Sequence, residues 1–180
     1  MMIFIYFLIG IVSWPVLEYL LHRFLGHDLK LNTEFKKQHT RHHVETDYFA
    51  PNLLKAVAAI PAGIVAMAVV SFISGSWQLG LGFTVGFISM YTFYELVHWT
   101  FHFHEPKTSL GMKLRKHHFA HHFHNAKMNH GVTSTLLDRL FGTYIDVPVV
   151  KVPKQIVLPW MLDSDQKGIH PKFAKDFQIK

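Results

Sequence analysis

The sequence contains no cysteine, and this absence removes several kinds of chemistry. Disulfides, zinc fingers, iron–sulfur clusters and thiol nucleophiles all require a cysteine sulfur. Any metal that this chain binds must therefore be held by nitrogen and oxygen atoms.

Charged residues are also scarce. They make up 17% of the 180 residues, against roughly 25% in soluble domains, and residues 56–94 contain none. All lysines and arginines lie in two blocks, 23–55 and 107–180. The basic residues that give the net charge of +6 are therefore separated by apolar segments. This distribution is typical of a membrane protein and argues against a nucleic-acid partner.

Three stretches are long and apolar enough to cross a bilayer, at approximately residues 2–21, 53–73 and 77–98, since a span needs ~20 residues. The turn sequence SGSWQ, at 74–78, separates the second from the third. A cleaved signal peptide is the alternative for the first stretch, but no basic region precedes it and no small-residue cleavage site follows. We expect a retained span.

The orientation follows from the basic residues, which are absent from the N-terminus and from the 74–78 turn. The positive-inside rule then places the N-terminus outside and both basic blocks in the cytosol. The expected fold is an all-α integral membrane protein of one domain, 1–180, with about three transmembrane helices. Its cytosolic part comprises the His-rich segments 22–52 and 99–147, forming a helical cap that holds a dimetal site, and the tail 148–180.

Histidine is the abundant functional residue, with 15 copies. Ten of them form four groups beside the predicted spans: HRFLGH (His22, His27), HTRHH (His39, His42, His43), HWTFH (His98, His102) and HFAHH (His118, His121, His122). Within the last three groups the spacing of three and four residues places the rings on one helical face. His22 and His27 are five residues apart and share a face only if the helix breaks, for which Gly26 is the candidate.

Buried imidazoles need partners for their lone pairs, and a metal supplies them. A single His pair is more often structural, but four groups on one membrane face favour a metal site. Ten imidazoles exceed what one ion binds, so we expect two ions. Ligand softness leaves zinc, iron, copper and nickel open.

The C-terminal part has weaker signals. A short helix is expected after Ser134 or Thr135, ending at Gly142. The proline-containing stretch that follows should be extended, VLPWML (157–162) should lie against lipid, and the last residues should be solvated.

In its ordered set of histidine groups the sequence resembles the fatty acid hydroxylase superfamily, also called the sterol desaturase family, and most closely its fatty acid (sphingolipid) 2-hydroxylase branch. The resemblance covers about residues 10–145 and is carried by EYLLHRFLGH, HTRHH, HWTFH, and KHHFAHH followed by GVTSTLLDRLFGT. It differs from the family in having room for one span before the first group rather than two.

The resemblance implies metal ligation by ten histidines: His22, His27, His39, His42, His43, His98, His102, His118, His121 and His122. It implies two metal ions, iron in the active enzyme, with zinc as the alternative in purified material. The implied reaction is dioxygen-dependent hydroxylation of a lipid acyl chain, with fatty acid or sphingolipid 2-hydroxylation preferred. The fused haem domain of some eukaryotic members is missing, so we expect a separate electron-transfer protein and a bacterial cytoplasmic membrane rather than the endoplasmic reticulum.

Other residues have open roles. Glu18, Glu95 and Asp138 are candidates to hold ligand imidazoles by their distal N–H groups, and interfacial or salt-bridged carboxylates are the alternative. His104, His117, His124 and His130 lie outside the ligand set, although His117 competes with His118 for the same register. His170 is expected at the surface.

Two alternative functions remain at the sequence level. A sterol or carotenoid hydroxylase or desaturase of the same superfamily is the enzymatic one. A non-enzymatic membrane metal-binding protein is the other, although the spans hold no polar residue at mid-depth to form a metal path.

Overall fold

The computed structural model describes all residues from Met1 to Lys180, and most of them are helical. The helices are α1 (Met2–Leu20), α2 (Glu34–Val44), α3 (Asn52–Ser74), α4 (Trp77–Phe103), α5 (Ser109–Phe123) and α6 (Leu136–Leu140). A π-helical turn, Leu21–Asp28, continues α1. Two strands, β1 (Val150–Val152) and β2 (Phe177–Ile179), pair in parallel. The expected all-α fold is therefore correct in outline but omits this small sheet.

The chain divides into two compact units, one of Met1–Glu18 with Ala50–Leu96 and one of Tyr19–Phe49 with Val97–Lys180. In the first unit α1 and α4 approach so closely that only glycine fits at the contact. A Cβ on Gly10 would lie 2.1 Å from the Phe83 carbonyl oxygen, and one on Gly86 would lie 2.0 Å from that of Phe7. Such backbone contact is typical of helices that pack within a membrane.

Two helical segments, Met2–Asp28 and Asn52–Ser74, are apolar and long enough to cross a membrane on length and composition alone. Most of the large apolar side chains of α3 are exposed, and Phe72 is 90% exposed. Helix α4 is also long, with 27 residues, but it is less apolar because it contains Gln78, several glycines and Glu95. Between α3 and α4, Gly75 adopts a left-handed conformation (φ 67°) that ends α3 at the predicted turn.

The second unit has its own core around α5, which packs against β1. Helix α6 begins after Thr135 and is followed by Gly142 at φ 69°, so the short helix predicted there is confirmed. Two expectations for the tail are wrong. Leu158 and Met161 are buried in this unit instead of facing lipid, and Phe173 and Phe177 near the C-terminus are buried as well.

The expected break at Gly26 is also wrong. The helix widens into a π turn over Leu21–Asp28, in which hydrogen bonds run from i to i+5. This places His22 and His27 on the same side, with ring centroids 5.4 Å apart. Gly26 leaves room for the His39 ring, since a Cβ at residue 26 would lie 3.0 Å from Cδ2 of His39.

Candidate metal centre

Five imidazoles converge in the second unit, and we call them cluster one: His22, His27, His39, His43 and His121. Their Nε2 atoms face one another, and neighbouring pairs are 2.8–3.1 Å apart. All five ligand atoms lie within 4.8 Å of one another. The π turn supplies two of the rings, α2 supplies two and α5 supplies one.

Cluster two is a second group of five in the same unit: His42, His98, His102, His118 and His122. Nε2 of His42 lies 3.0 Å from that of His98, and Nε2 of His102 lies 2.9 Å from that of His118. Both ring nitrogens of His122 are buried without a hydrogen-bond partner.

The two clusters are adjacent. The ring of His43 in cluster one stacks on that of His122 in cluster two, with centroids 4.1 Å apart and an interplanar angle of 15°. Helices α2 and α5 each supply both clusters. On each helix the two rings four residues apart share a cluster, and the third ring, three residues from the first, lies in the other. This is because steps of three and of four residues turn to opposite sides of the first ring. The structure thus brings together all ten predicted histidines and divides them equally.

Backbone carbonyls fix the tautomers of several rings. The Nδ1–H of His22 donates to the His130 carbonyl oxygen at 2.5 Å, and that of His121 donates to Met128 at 2.7 Å. In cluster two, the Nδ1–H groups of His42 and His102 donate to Tyr48 and Thr46. The Nε2 atom of each such neutral ring then carries a lone pair directed into its cluster.

This arrangement is suited to a bound cation. The Nε2 atoms of His22 and His121 lie 2.9 Å apart, yet neither carries a proton when both Nδ1 atoms donate. Two lone pairs cannot form a hydrogen bond with each other, and their repulsion inside a protein is costly. A metal ion between them takes both lone pairs, so the residues present fit a metal at each cluster.

The number of nitrogens also bears on the kind of site. Cluster one offers five imidazole nitrogens, whereas structural zinc sites use four ligands. Cluster one therefore fits an ion that takes more than four ligands.

Burial keeps these imidazoles neutral, as metal ligation requires. Desolvation is the main cause that lowers the pKa of His39, His118, His121 and His122 well below the usual value, and neighbouring imidazoles lower it further. For His43 the same causes lower the pKa to about 3. The lone pairs therefore remain available at neutral pH.

Asp138 is fully buried in the same unit. Its carboxylate accepts hydrogen bonds from Nε2 of His117 (3.0 Å), from the backbone N–H groups of His130 and Gly131 (2.8 Å each) and from the Thr143 hydroxyl. Burial acts to raise the pKa of Asp138, but these hydrogen bonds outweigh it and the pKa is lowered. Asp138 thus holds the peptide whose carbonyl orients His22.

Glu18 and Glu95, the other two candidates to hold ligand rings, lie in the first unit. Glu95 pairs with Lys55, and Glu18 is buried near the end of α1. Support of ligand rings by Glu18 and Glu95 stays a prediction. Of the remaining histidines, His117 and His130 are buried beside Asp138 and cluster one, whereas His124 and His170 are exposed.

Sequence reasoning missed the carbonyl oxygens of Thr46, Tyr48, Met128 and His130. Every residue has a carbonyl, so no side-chain pattern could have identified them. The buried ring of His130, whose Nε2–H donates to the Lys127 carbonyl and whose centroid lies 5.3 Å from that of His121, was also left outside the site.

Comparison with known proteins agrees with this geometry. Residues 7–143 match the family model for fatty acid hydroxylase. The chain is 30% identical over 142 residues to dihydroceramide fatty acyl 2-hydroxylase FAH2 of Arabidopsis thaliana, covering 74% of this chain and 58% of that protein. It is 29% identical over 156 residues to ceramide very long chain fatty acid hydroxylase SCS7 of Saccharomyces cerevisiae, covering 81% and 40%.

A solved structure is similar as well. It is described as full-length scs7p with only the hydroxylase domain visible, and it matches with a TM-score of 0.64 and 25% identity over 80% of this chain and 56% of that one. The chain thus spans 40–58% of the length of the two curated relatives. The family match covers most of the chain and includes all four histidine groups, so the chain belongs to the fatty acid hydroxylase family.

Proposed function

We propose that this chain is a membrane-bound monooxygenase that hydroxylates a lipid acyl chain with dioxygen and two electrons from a separate protein. One oxygen atom enters the new C–OH bond, and the other leaves as water after taking up two protons and the two electrons. The observation that carries the proposal is the pair of adjacent five-imidazole clusters in a chain of the fatty acid hydroxylase family.

The ten histidines would hold two metal ions, one in each cluster, and iron is the ion we propose for the working enzyme. The bound ions would supply dioxygen activation. The imidazoles themselves act as neutral ligands whose orientation is set by the carbonyls of His130, Met128, Tyr48 and Thr46. Five imidazoles in each cluster exceed the four ligands of a structural zinc site, which supports an ion of higher coordination number.

The substrate we propose is a fatty acid or the acyl chain of a sphingolipid, hydroxylated at the 2-position. Relatives from Arabidopsis thaliana and Saccharomyces cerevisiae carry the names dihydroceramide fatty acyl 2-hydroxylase and ceramide very long chain fatty acid hydroxylase. Their similarity to this chain supports a long apolar substrate whose polar end lies near the membrane interface.

We further propose a multi-pass arrangement in which α1, α3 and α4 cross the membrane and the metal centre faces the cytosol, with a bacterial cytoplasmic membrane as the location. The apolar composition of α1 and α3 supports two of these spans. The absence of lysine and arginine from the N-terminus and from the α3–α4 turn supports the orientation.

The test combines metal content with turnover. The full chain, purified in detergent and loaded with iron, is supplied with dioxygen, a reductase system and a panel of ceramides, free fatty acids, sterols and carotenoids. We expect a 2-hydroxyacyl product and its loss in His121→Ala, while His124→Ala, an exposed histidine outside both clusters, retains activity. Bound metal without any hydroxylated lipid would favour a metal-binding protein, and a sterol or carotenoid product would reassign the substrate.

A further inference from the structure

The outer side of α2 carries an open basic groove, which we call the α2 groove. It is lined by Lys30, Leu31, Lys36, Lys37, Arg41 and Val44, with Glu45 at one end. Four cations against one carboxylate make the groove strongly positive. Its apolar members are exposed as well, Leu31 by 49% and Val44 by 65%.

Helix α2 contributes histidines to both clusters, and its opposite side is exposed. It supplies His39 and His43 to cluster one and His42 to cluster two. The other helix that supplies both clusters, α5, is buried at Arg115 and over His117–His121. A protein that binds the α2 groove would therefore lie one helix away from both sets of imidazoles, and a helix with its side chains is about 10–12 Å across.

The cations of the groove differ in how many hydrogen bonds and ion pairs they form within the chain. Lys36 donates to the carbonyl oxygens of His27 and Leu29, and Arg41 pairs with Glu45 while lying over the Tyr48 ring. Lys30 forms no ion pair, and Lys37 has only a 3.8 Å contact with Glu34 in which both side chains are more than half exposed. Lys30 and Lys37 are thus available to a partner.

We propose that the α2 groove is the docking surface for an acidic one-electron carrier protein, an inference that rests on the proposed function. Exposed cations beside a small apolar patch fit the transient complexes of electron-transfer proteins, which bury little surface and associate through charge. Docking here delivers electrons to cluster one through His39 and His43 and to cluster two through His42.

The test uses the full iron-loaded chain in nanodiscs of neutral phosphatidylcholine and a reduced plant-type [2Fe–2S] ferredoxin, a small acidic protein, as the probe. Stopped-flow measurement gives the second-order rate constant for ferredoxin oxidation at several salt concentrations. We expect Lys30→Glu with Lys37→Glu to lower this constant about tenfold or more at low salt and to abolish its salt dependence. The control, Lys154→Glu with Lys175→Glu, reverses the same charge at exposed positions elsewhere and should stay within about twofold.

Equal rate constants for the wild-type chain and the groove variant would overturn the proposal. So would a groove variant that keeps its rate constant but retains less phosphatidylglycerol on purification, because the groove would then bind lipid headgroups. Supplying electrons from a small uncharged quinol separates this inference from the proposed function. With quinol, wild-type chain and groove variant should hydroxylate lipid equally, and an absence of product from both would refute the hydroxylase function instead.

Discussion

At the scale of single residues, the candidate site depends as much on hydrogen-bond acceptors as on ligands. Four rings donate Nδ1–H to backbone carbonyls, which leaves Nε2 as the only nitrogen able to bind a metal. The His130 carbonyl is one of these acceptors, and the N–H of the same peptide group, which belongs to Gly131, donates to Asp138. A buried carboxylate two hydrogen bonds away from His22 therefore determines where that ring lies.

Asp138→Asn should weaken the metal held by cluster one. An amide has nearly the same shape, but its NH2 group replaces one carboxylate oxygen and cannot accept hydrogen bonds. The variant therefore loses either the pair from His117 and Gly131 or the pair from His130 and Thr143. The His130 peptide then shifts and His22 loses its orientation. We expect about a 10–100-fold loss of affinity for one of the two ions, measured by titration with a competing chelator.

Asp165→Asn is the matched control, because the Asp165 side chain is 59% exposed in a turn of the tail. It should leave both ions bound as in the wild-type chain. Equal behaviour of the two variants would show that Asp138 has no part in holding the metal centre.

At the scale of elements, the site is built from short local groups that distant contacts sort into two clusters. The π turn is the clearest example, since it brings together His22 and His27 at a spacing that an α-helix would separate. Gly26 lies within this turn and leaves room for the His39 ring from α2. A side chain at residue 26 would therefore require the His39 ring to move by a few tenths of an ångström.

Gly26→Ala tests that fit. Alanine favours helix, but its Cβ would lie 3.0 Å from Cδ2 and 3.3 Å from Nε2 of His39. The ring must move, so we expect weaker metal binding at cluster one and little change at cluster two, read by chelator titration. Gly63→Ala is the control, because a Cβ there makes an ordinary contact of 3.5 Å with Ile88. Unchanged metal affinity in Gly26→Ala would contradict this account of the turn.

The sequence indicates which histidines come together because the groups are local. Spacings of three and four residues bring His98 and His102, or His118 and His122, to one helical face without any knowledge of the fold. Division into two clusters depends on contacts between residues as distant as His22 and His121, which no local pattern contains. The π turn is missed because its i to i+5 hydrogen bonds depart from the α-helical period of 3.6 residues.

The tail shows the same contrast between local signals, which the sequence contains, and distant contacts, which it does not. Helix α6 carries local signals at Thr135 and Gly142 and is predicted. The parallel pairing of Val150 with Phe177 joins two strands of only three residues each, too short to show alternation, and depends on burial against α5. Residues 157–162 are apolar enough for either lipid or a protein core, and their composition alone could not distinguish the two.

At the scale of the whole molecule, the number of spans decides whether α2 and α5, which both supply each cluster, lie on the same side of the membrane. With three spans the α3–α4 turn and the tail lie on opposite sides, and with two spans they lie on the same side. Because the chain has no cysteine, single cysteines can report this directly.

Gln78→Cys and Ser164→Cys, both exposed positions, should give opposite results with a membrane-impermeant maleimide applied to intact cells. We expect Gln78→Cys to react from outside and Ser164→Cys to react only after the membrane is permeabilised. The cysteine-free chain should not react in either condition. Labelling of both positions from outside would mean that α4 does not cross the membrane.

The central claim is that the ten histidines form two metal sites, and the metal-to-chain ratio tests it most directly. Elemental analysis of the purified, iron-loaded chain should give about two ions per chain, and X-ray absorption should show a first shell of five or more nitrogen ligands. His39→Ala and His42→Ala should each lose about one ion, since these residues serve different clusters. A wild-type ratio of one or zero, or loss of both ions in either variant, would contradict two separate five-imidazole sites.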